Sequence, residues 1–324
     1  MNVHATALTE AHHLDEMTSA FARDVIDDLS RAPKRLSPKY FYDSTGSELF
    51  EQITLLPEYY PTRTELGILR DHGRAISAIV PDSAALVEFG AGSTTKVRLL
   101  LGECRRLGAY VPVDISGDFL NTQASALRAD YPDLAVHPVT ADFTAPFELP
   151  EAVRDMPKVG FFPGSTLGNF EPGEACTFLK SARAILGTGA RMLIGVDLEK
   201  DERTLYDAYN DAAGVTARFN LNVLHRINRE LGGDFDLSAF IHRAIYNRDR
   251  HRIEMHLISK KALTAQILGK KFSFRPGESI HTESSYKYSI DRFDTLARVS
   301  GWDLLESWTD AAEMFSVHAL VASD

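Results

Sequence analysis

The sequence contains only two cysteines, Cys104 and Cys176, among its 324 residues. Two cysteines cannot form a disulfide framework, and this pair lacks the close spacing of a zinc site. No stretch reaches the roughly 18 uninterrupted apolar residues that a membrane-spanning helix requires. The first segment, MNVHATALTEAHHLDEM, also lacks the basic start and apolar run of a signal peptide. We therefore expect a cytoplasmic protein without a metal site or a membrane partner.

An excess of basic residues is also absent, since 35 Lys and Arg stand against 45 Asp and Glu, a formal net charge of -10. Nonspecific affinity for nucleic acids comes mainly from clustered Lys and Arg, so this balance disfavours nucleic-acid partners. Hydrophobic residues make up 44% and charged residues 25% of the chain, which is typical of globular proteins. We expect a monomer that acts on a small molecule.

Short apolar runs alternate with helical segments from about residue 84 onward, a pattern that predicts βαβ units and a mostly parallel sheet. The predicted strands cover residues 84–90, 109–116, 134–143, 158–166 and 190–198. In open α/β sheets the ligand binds at the carboxyl ends of the strands. The small and acidic residues predicted at this edge are Gly90, Asp114, Asp142, Gly164 and Asp197.

Two segments precede the predicted sheet. The apolar spacing of residues 15–32 predicts an amphipathic helix that ends before Pro33. Farther along, Thr62 followed by Glu65 predicts a capping box for a helix that runs toward Gly73.

The alternation stops after Asp197. The following segments predict helices over 200–233, two strands of a half-exposed antiparallel sheet at 252–259 and 270–278, a helix at about 289–300, and two closing strands. The simplest division gives the parallel-sheet domain residues 64–199 and 288–324. We expect a second lobe formed from residues 15–63 and 200–287.

A glycine-containing loop, EFGAGSTTK, follows the first predicted strand and leads into a helix. Gly90 and Gly92 permit close approach of a ligand to the backbone, but the third glycine of the GxGxxG dinucleotide pattern is absent. Asp114 ends the next strand, where a carboxylate can accept hydrogen bonds from both hydroxyls of a ribose. The combination favours S-adenosylmethionine, which carries no phosphate, over a dinucleotide. An ordinary tight turn and a helix-capping aspartate stay open as alternatives.

Three further features lie at the predicted ligand edge. Asp142 can accept a hydrogen bond from an adenine amino group, and the ring of Phe143 can pack against the face of the adenine. The ammonium of Lys96 can pair with the carboxylate of S-adenosylmethionine, the methyl donor. Residues 164–169 form a glycine-bounded polar stretch ending in Asn169, whose amide can hold an amino or carboxylate group. The alternative interpretations are a plain loop for Asp142 and Phe143, a solvated side chain for Lys96 and a turn residue for Asn169.

Four motifs carry a resemblance to a known family: LPEYYPTRTE, GFFPGSTLGNF, AYNDAAGVTARFN and HTESSYKY. Together they resemble the histidine-specific N-α-methyltransferases that form hercynine, the trimethylated betaine with which ergothioneine biosynthesis starts. The similarity runs from SPKYFYDSTGSELFEQIT to EMFSVHALVAS and so covers nearly the whole chain. The resemblance implies an α/β fold in which a Rossmann-like class I methyltransferase sheet carries a second α+β substrate-binding lobe.

The resemblance also implies roles for individual residues. It implies that Tyr42 orients the methyl transfer and contacts the donor. The other residues it implies for S-adenosylmethionine are Gly90, Lys96, Asp114, Asp142 and Phe143. For the amino-acid substrate it implies Tyr59, Asn169 and Tyr209 at the amino and carboxylate groups, Met255 at the pocket wall, and Glu283 and Ser285 at the imidazole.

Other functions fit parts of the same pattern. An N-methyltransferase of another aromatic amino acid, such as tryptophan, differs only in the few side chains around Met255 and Glu283. An NAD-dependent oxidoreductase shares the glycine pair and Asp114, but the missing third glycine disfavours it. A non-catalytic module that senses S-adenosylmethionine is disfavoured because Tyr59, Asn169 and Glu283 are all present.

Overall fold

The structure, a computed structural model, describes residues 20–323, which divide into two compact units. The smaller unit consists of the residues up to Ile53, Tyr209–Ile245 and Glu254–Glu283. The larger unit consists of Thr54–Ala208, Tyr246–Ile253 and the residues from Ser284 onward. Each unit is thus assembled from three separate stretches of the chain.

The described residues form strands and helices in the following order. The strands are β1 (Lys34–Arg35), β2 (Ala85–Phe89), β3 (Ala109–Asp114), β4 (Ala135–Val136), β5 (Val139–Thr140), β6 (Lys158–Phe162), β7 (Arg191–Asp197), β8 (Phe240–Asn247), β9 (Arg252–Ser259), β10 (Leu263–Ile267), β11 (Lys270–Phe274), β12 (Ser279–Tyr286), β13 (Trp302–Thr309) and β14 (Phe315–Ala322). The helices are α1 (20–29), α2 (Ser44–Thr54), α3 (Tyr60–Asp71), α4 (Gly73–Ile79), α5 (Thr95–Glu103), α6 (Gly117–Asp130), α7 (Pro172–Leu186), α8 (Glu202–Tyr209), α9 (Val215–Leu231) and α10 (Ile290–Val299). Short 3-10 helices lie at Pro38–Phe41, Glu151–Val153, Thr166–Asn169 and Leu237–Ala239.

The large sheet confirms the predicted, mostly parallel arrangement. Its strand order is β13-β14-β7-β6-β2-β3-β4, with β5 also paired to β3. The pairs β7·β6, β6·β2, β2·β3, β3·β4 and β3·β5 are parallel, whereas β14 is antiparallel to both of its neighbours. All residues of β2 are buried, Glu88 included, which explains why the strand is mostly apolar.

Helices cover both faces of this sheet. Alternate residues of β2 enter different clusters, because successive side chains of a strand point to opposite faces. Val87 packs in the cluster that contains Phe178 of α7 and Phe293 of α10. Leu86 packs in the cluster that contains Leu100 of α5 and residues of α3, α4 and α6. A parallel sheet between two helical layers is the Rossmann-like architecture.

The boundaries between the units differ from those predicted. Residues 246–253 and 284–287, which the sequence predicts in the second lobe, belong to the larger unit in the structure. The same holds for residues 54–63 and 200–208. The hydroxyl of Tyr60 lies 2.9 and 2.8 Å from the carboxylate oxygens of Asp197, and the ammonium of Lys200 lies 2.6 Å from one of them. These contacts tie both stretches to the end of β7. That the larger unit binds the methyl donor and the smaller one the amino acid stays a prediction.

A second sheet has the strand order β1-β12-β9-β8, and β10 pairs with β11 in an antiparallel hairpin. The strands predicted at 252–259 and 270–278 are both present but lie in different sheets, because β9 lies between β12 and β8 while β11 pairs with β10. The sequence pattern does not mark β12 as a strand, since its buried residues include Thr282, Ser284 and Ser285. Burial of polar side chains hides the usual alternation of apolar and polar residues.

The predicted capping box is also wrong. Helix α3 begins at Tyr60 with Pro61 in its first turn, and Tyr59 caps it without a side-chain hydrogen bond. Thr62 therefore lies inside the helix. Of the helix predicted over 15–32, residues 20–29 are helical in the structure, and residues 15–19 lie outside the described part of the chain. None of the helices within residues 20–323 is long and apolar enough to cross a bilayer.

Candidate active site

The loop after β2 folds back onto the end of β3. The backbone N–H groups of Gly90 and Ala91 donate to the carbonyl oxygen of Val113 at 2.8 and 3.0 Å. Gly90 has a φ of +75°, which favours glycine, and a Cβ there would lie 3.3 Å from the ring of Phe143. A Cβ added at Gly92 would meet no atom within 4 Å beyond its chain neighbours. The loop therefore leaves open space beside a bare backbone, which suits close approach of a ligand.

Two acidic side chains stand at neighbouring strand ends beside this loop. Asp114 ends β3 in register with Thr140 of β5, and Asp142 follows two residues later. The Oδ1 atom of Asp114 accepts the N–H of Ser116 at 2.8 Å, and burial raises the pKa of this carboxyl. Asp142 accepts the N–H of Thr144 at 2.9 Å. Both carboxylates thus lie at the edge of the sheet where the sequence predicts them.

The ring of Phe143 is held by other aromatic side chains. Its centroid lies 5.6 Å from that of Phe162 and 5.8 Å from that of Phe178, both in edge-on geometry. Phe89 packs edge-on against Phe178 at 5.5 Å. Edge-on contacts of this kind are the favoured geometry for aromatic pairs. The cluster fixes Phe143 over Gly90.

Lys96 has a buried partner that the sequence does not reveal. Its ammonium lies 2.6 Å from the carboxylate of Glu65, which is 1% exposed. Both oxygens of Glu65 also lie within reach of the backbone N–H of Gly164, at 2.9 and 3.0 Å. Glu65 therefore joins α3, α5 and the end of β6, instead of capping its own helix.

The glycine-bounded stretch after β6 forms a tight turn that leads to Asn169. Gly164 and Ser165 both have positive φ, +82° and +57°, and the following residues form the 3-10 helix that ends at Asn169. The Ser165 hydroxyl accepts the N–H of Asp197 at 2.9 Å. A Cβ at Gly168 would lie 2.8 Å from the carbonyl oxygen of Tyr286. The turn thus packs closely against β7 and β12, and Asn169 is half-buried at its end.

A buried charged cluster lies at the end of β7, formed by Tyr60, Asp197, Lys200, Ser285 and Lys287 and hereafter called the Asp197 cluster. The ammonium of Lys287 lies 2.7 Å from Asp197 Oδ2 and donates to Ser285 Oγ at 2.8 Å. The ammonium of Lys200 lies 2.6 Å from Asp197 Oδ1 and donates to the Tyr60 hydroxyl at 2.8 Å. Ser285 therefore has a cationic neighbour.

Burial and charge act against each other on these groups. Burial would raise the pKa of the Asp197 carboxyl, but the ammonium groups of Lys287 and Lys200 hold it below its usual range. Burial lowers the pKa of Lys200 to about 8, although the Asp197 carboxylate opposes this shift. Asp197 is therefore a carboxylate at neutral pH, between the two lysines.

In the smaller unit, aromatic contacts hold Tyr42 and a hydrogen bond holds the backbone of Tyr209. The Tyr42 ring packs edge-on against Phe50 and Phe219, at 5.6 Å from each. The carbonyl oxygen of Tyr209 lies 2.8 Å from His242 Nε2. A carbonyl can only accept, so this nitrogen carries the proton. Burial lowers the pKa of His242, which favours the neutral ring.

The strands β9 and β12 carry the remaining predicted residues. Met255 is 1% exposed, and its carbonyl oxygen accepts the Thr282 hydroxyl at 3.0 Å. Glu283 is 8% exposed, and its carbonyl oxygen lies 3.0 Å from His281 Nε2. Glu283 and Ser285 stand two positions apart on β12, so both side chains leave the same face of the strand.

Sequence reasoning missed four residues of these sites, and one signal was present. Glu65, Tyr60 and Lys287 find partners across long separations in the chain, which local patterns do not encode. Lys200, by contrast, lies three residues after Asp197, a local spacing that indicates an ion pair. Within residues 20–323, no three His, Cys, Asp or Glu side chains are placed to hold a metal ion.

Comparison with known proteins assigns the family. A family model described as "Histidine-specific methyltransferase, SAM-dependent" matches residues 21–322. A histidine N-alpha-methyltransferase of Mycolicibacterium smegmatis is 41% identical over 95% of this chain and 96% of that protein, and one of Mycobacterium tuberculosis is 40% identical over 95% and 97%. Ergothioneine biosynthesis protein 1 of Neurospora crassa is 30% identical over 90% of this chain and 33% of that protein.

These matches extend through both units and include the glycine loop, the Asn169 turn and β12. Their length and identity confirm the resemblance carried by the four sequence motifs. The chain belongs to the family of histidine-specific methyltransferases that use S-adenosylmethionine.

Proposed function

We propose that the chain transfers methyl groups from S-adenosylmethionine to the α-amino nitrogen of L-histidine, up to the trimethylated betaine hercynine. The observation that supports this most strongly is the identity of about two residues in five with two histidine N-alpha-methyltransferases over nearly the whole length of both chains. The similarity to an ergothioneine biosynthesis protein supports hercynine as the product. The substrate is a small molecule, in keeping with the family.

The larger unit offers suitable groups for the methyl donor. The open space at Gly92 gives access to the loop backbone, and the Asp114 carboxylate can accept the hydroxyls of the ribose. Asp142 can accept from the adenine amino group, while the fixed ring of Phe143 can pack against the base. We assign these residues to the donor site.

An ion pair holds the Lys96 side chain in place. Its ammonium already pairs with Glu65, and its side chain is 18% exposed. An ammonium has three donors, so Lys96 can still reach the donor's carboxylate while it holds Glu65. We propose that Glu65 fixes the position from which Lys96 does so.

For the amino acid we propose that Tyr59, Asn169 and Tyr209 hold the amino and carboxylate groups. Glu283 and Ser285 would hydrogen-bond the imidazole. The Glu283 side chain is buried, and its carboxylate can accept a hydrogen bond from an imidazole N–H. We assign Met255 to the wall of the ring pocket because it is apolar, buried and on the strand beside β12.

The reaction places few chemical demands on the protein. S-adenosylmethionine supplies an electrophilic methyl group, and the nitrogen lone pair forms the new N–C bond as the S–C bond breaks and its electron pair moves to sulfur. The α-ammonium must release one proton for each methyl group that it receives. The chain's residues therefore have to hold the amine in line and keep a path for its proton. We propose that Tyr42, fixed by Phe50 and Phe219, orients the amine.

A stoichiometry experiment tests this proposal. The purified protein is incubated with histidine and excess S-adenosylmethionine, and products are followed by mass spectrometry. We expect mono-, di- and trimethylated histidine in sequence, with three molecules of S-adenosylhomocysteine formed for each histidine consumed. Accumulation of monomethyl histidine alone would contradict the trimethylation. Tryptophan in a parallel reaction serves as the matched aromatic control.

A further inference from the structure

Lys287 is fully buried, although lysine is rarely found without exposure to solvent. It lies two positions after Ser285, immediately beyond β12, and its ammonium contacts Ser285 Oγ at 2.8 Å and Asp197 Oδ2 at 2.7 Å. Burying a charge is costly unless it is paired and hydrogen-bonded. The proposed reaction gives Lys287 no part, so its position calls for another explanation.

The contact between Lys287 and Ser285 has a fixed direction. An ammonium has three donors and no acceptor, so the serine oxygen must accept in this hydrogen bond. The hydroxyl proton then turns away from the positive charge. As a result, Ser285 presents its O–H as a donor to whatever group lies on its other side.

Charged and titratable groups of several elements lie around Lys287. Asp197, at the end of β7, holds it with one oxygen and holds Lys200 with the other. Tyr60 of α3 donates to the same carboxylate, and Tyr246 of β8 interacts electrostatically with Lys287. The Asp197 carboxylate thus joins Lys287 and Lys200.

We propose that Lys287 is a positioning residue that makes Ser285 a hydrogen-bond donor, so that the protein binds histidine with a neutral ring whose unprotonated nitrogen faces Ser285. This inference rests on the proposed function. Both nitrogens of an imidazolium are donors, so the charged ring would set an N–H against the Ser285 proton. The other ring nitrogen of the neutral form keeps its proton and can donate it to Glu283.

The most direct test is the nitrogen NMR spectrum of histidine labelled with ¹⁵N in its ring, bound to the wild-type protein together with S-adenosylhomocysteine. The measurement is made at pH 6, where an imidazole with the ordinary side-chain pKa of about 6.5 is mostly protonated in solution. We expect one protonated and one unprotonated ring nitrogen in the complex. Two protonated nitrogens would overturn the inference.

The variant Lys287→Met removes the ammonium and keeps the length of the side chain. We expect KM for histidine at pH 7 to rise about tenfold, as for one hydrogen bond to a charged group, with a smaller change in kcat. The bound ring should also gain protonated character at pH 6. Lys200→Met is the matched control, because it removes an ammonium from the same carboxylate without touching Ser285, and its bound-ring spectrum should match that of the wild type.

A double-mutant cycle separates this role from a merely structural one. If Lys287 acts through Ser285, Lys287→Met should raise KM strongly in the wild-type background and little in a Ser285→Ala background. An equal rise in both backgrounds would contradict the inference. Failure of the wild-type protein to bind or methylate histidine would instead contradict the proposed function, so the two outcomes are distinguishable.

Discussion

The carboxylate of Glu65 lies 2.6 Å from the ammonium of Lys96 and is almost completely buried. The same carboxylate accepts the backbone N–H of Gly164. A Cβ at Gly195 of β7 would lie 2.1 Å from Glu65 Oε1, so this side chain fills the space beside two strand ends. Glu65 of α3 thus fixes Lys96, which we assign to the methyl donor. It also fixes Gly164, the first residue of the turn that leads to Asn169.

Replacing Glu65 with alanine should destabilise the protein. The change leaves the Lys96 ammonium without its carboxylate and the Gly164 N–H without its acceptor. Removal of one partner of a buried ion pair costs about 3 kcal/mol or more. Urea unfolding of Glu65→Ala measures this free energy, and Glu306→Gln on the exposed surface of β13 is the control. Equal unfolding midpoints for Glu65→Ala and wild type would contradict the structural role of Glu65.

Replacing Gly168 with alanine should impair histidine methylation. The new Cβ would lie 2.8 Å from the Tyr286 carbonyl oxygen, so the turn that carries Asn169 has to move. Such overpacking costs about 1–3 kcal/mol, and we expect kcat/KM for histidine to fall at least about tenfold.

The control for this variant is Gly173→Ala in the first turn of α7, where an added Cβ meets no atom within 4 Å. Alanine favours helix at such a position, so Gly173→Ala should keep full activity. If both alanine variants show the same steady-state kinetics, the close approach of the Asn169 turn to β12 does not matter for the reaction.

Much of the large sheet is predictable from the sequence because its central strands are buried on both faces. The strands β2, β3, β6 and β7 each appear as a short, mostly apolar run, and the ends of β2 and β3 place Gly90 and Asp114 at the ligand edge. By contrast, β12 buries polar residues, so its strand character is not visible as an alternation.

The parts that the sequence does not reveal depend on long-range partners. Glu65 follows Thr62 at the spacing of a capping box, but its acceptor oxygens face Gly164 instead. The pairing of Lys287 with Asp197 likewise joins distant segments. The resemblance implies that Ser285 is a site residue, whereas only the structure shows that a buried ammonium holds its hydroxyl oxygen.

Replacing Asp114 with asparagine should weaken binding of the methyl donor. A carboxylate can accept both ribose hydroxyls, whereas an amide offers one acceptor oxygen and two N–H donors. Loss of a hydrogen bond to a charged group corresponds to about 10- to 100-fold in affinity. Isothermal titration with S-adenosylmethionine measures this change, with the exposed Asp133→Asn as control. An unchanged dissociation constant would remove Asp114 from the donor site.

The stability of the protein should depend on the protonation of Glu88. Burial raises the pKa of this carboxyl to about 8, even though Tyr110 donates to it. The folded state therefore holds a proton that the unfolded state releases above about pH 4.3. This contribution to stability is complete below the unfolded pKa and is lost as the pH rises toward about 8.

The variant Glu88→Gln keeps an acceptor for Tyr110 and cannot ionise. We expect its melting temperature to exceed that of the wild type by a margin that grows from pH 5 to pH 8 and then levels off. Thermal unfolding across this range measures the margin, and the exposed Glu148→Gln should follow the wild type at every pH. A margin for Glu88→Gln that is independent of pH would contradict the raised pKa.

The central claim, that histidine is the methyl acceptor, is tested most directly by competition. The purified protein receives S-adenosylmethionine and an equimolar mixture of the twenty amino acids, and methylated products are identified by mass spectrometry. We predict histidine carrying up to three methyl groups as the dominant product. Preferential methylation of tryptophan or another amino acid would contradict the claim and leave the donor chemistry intact.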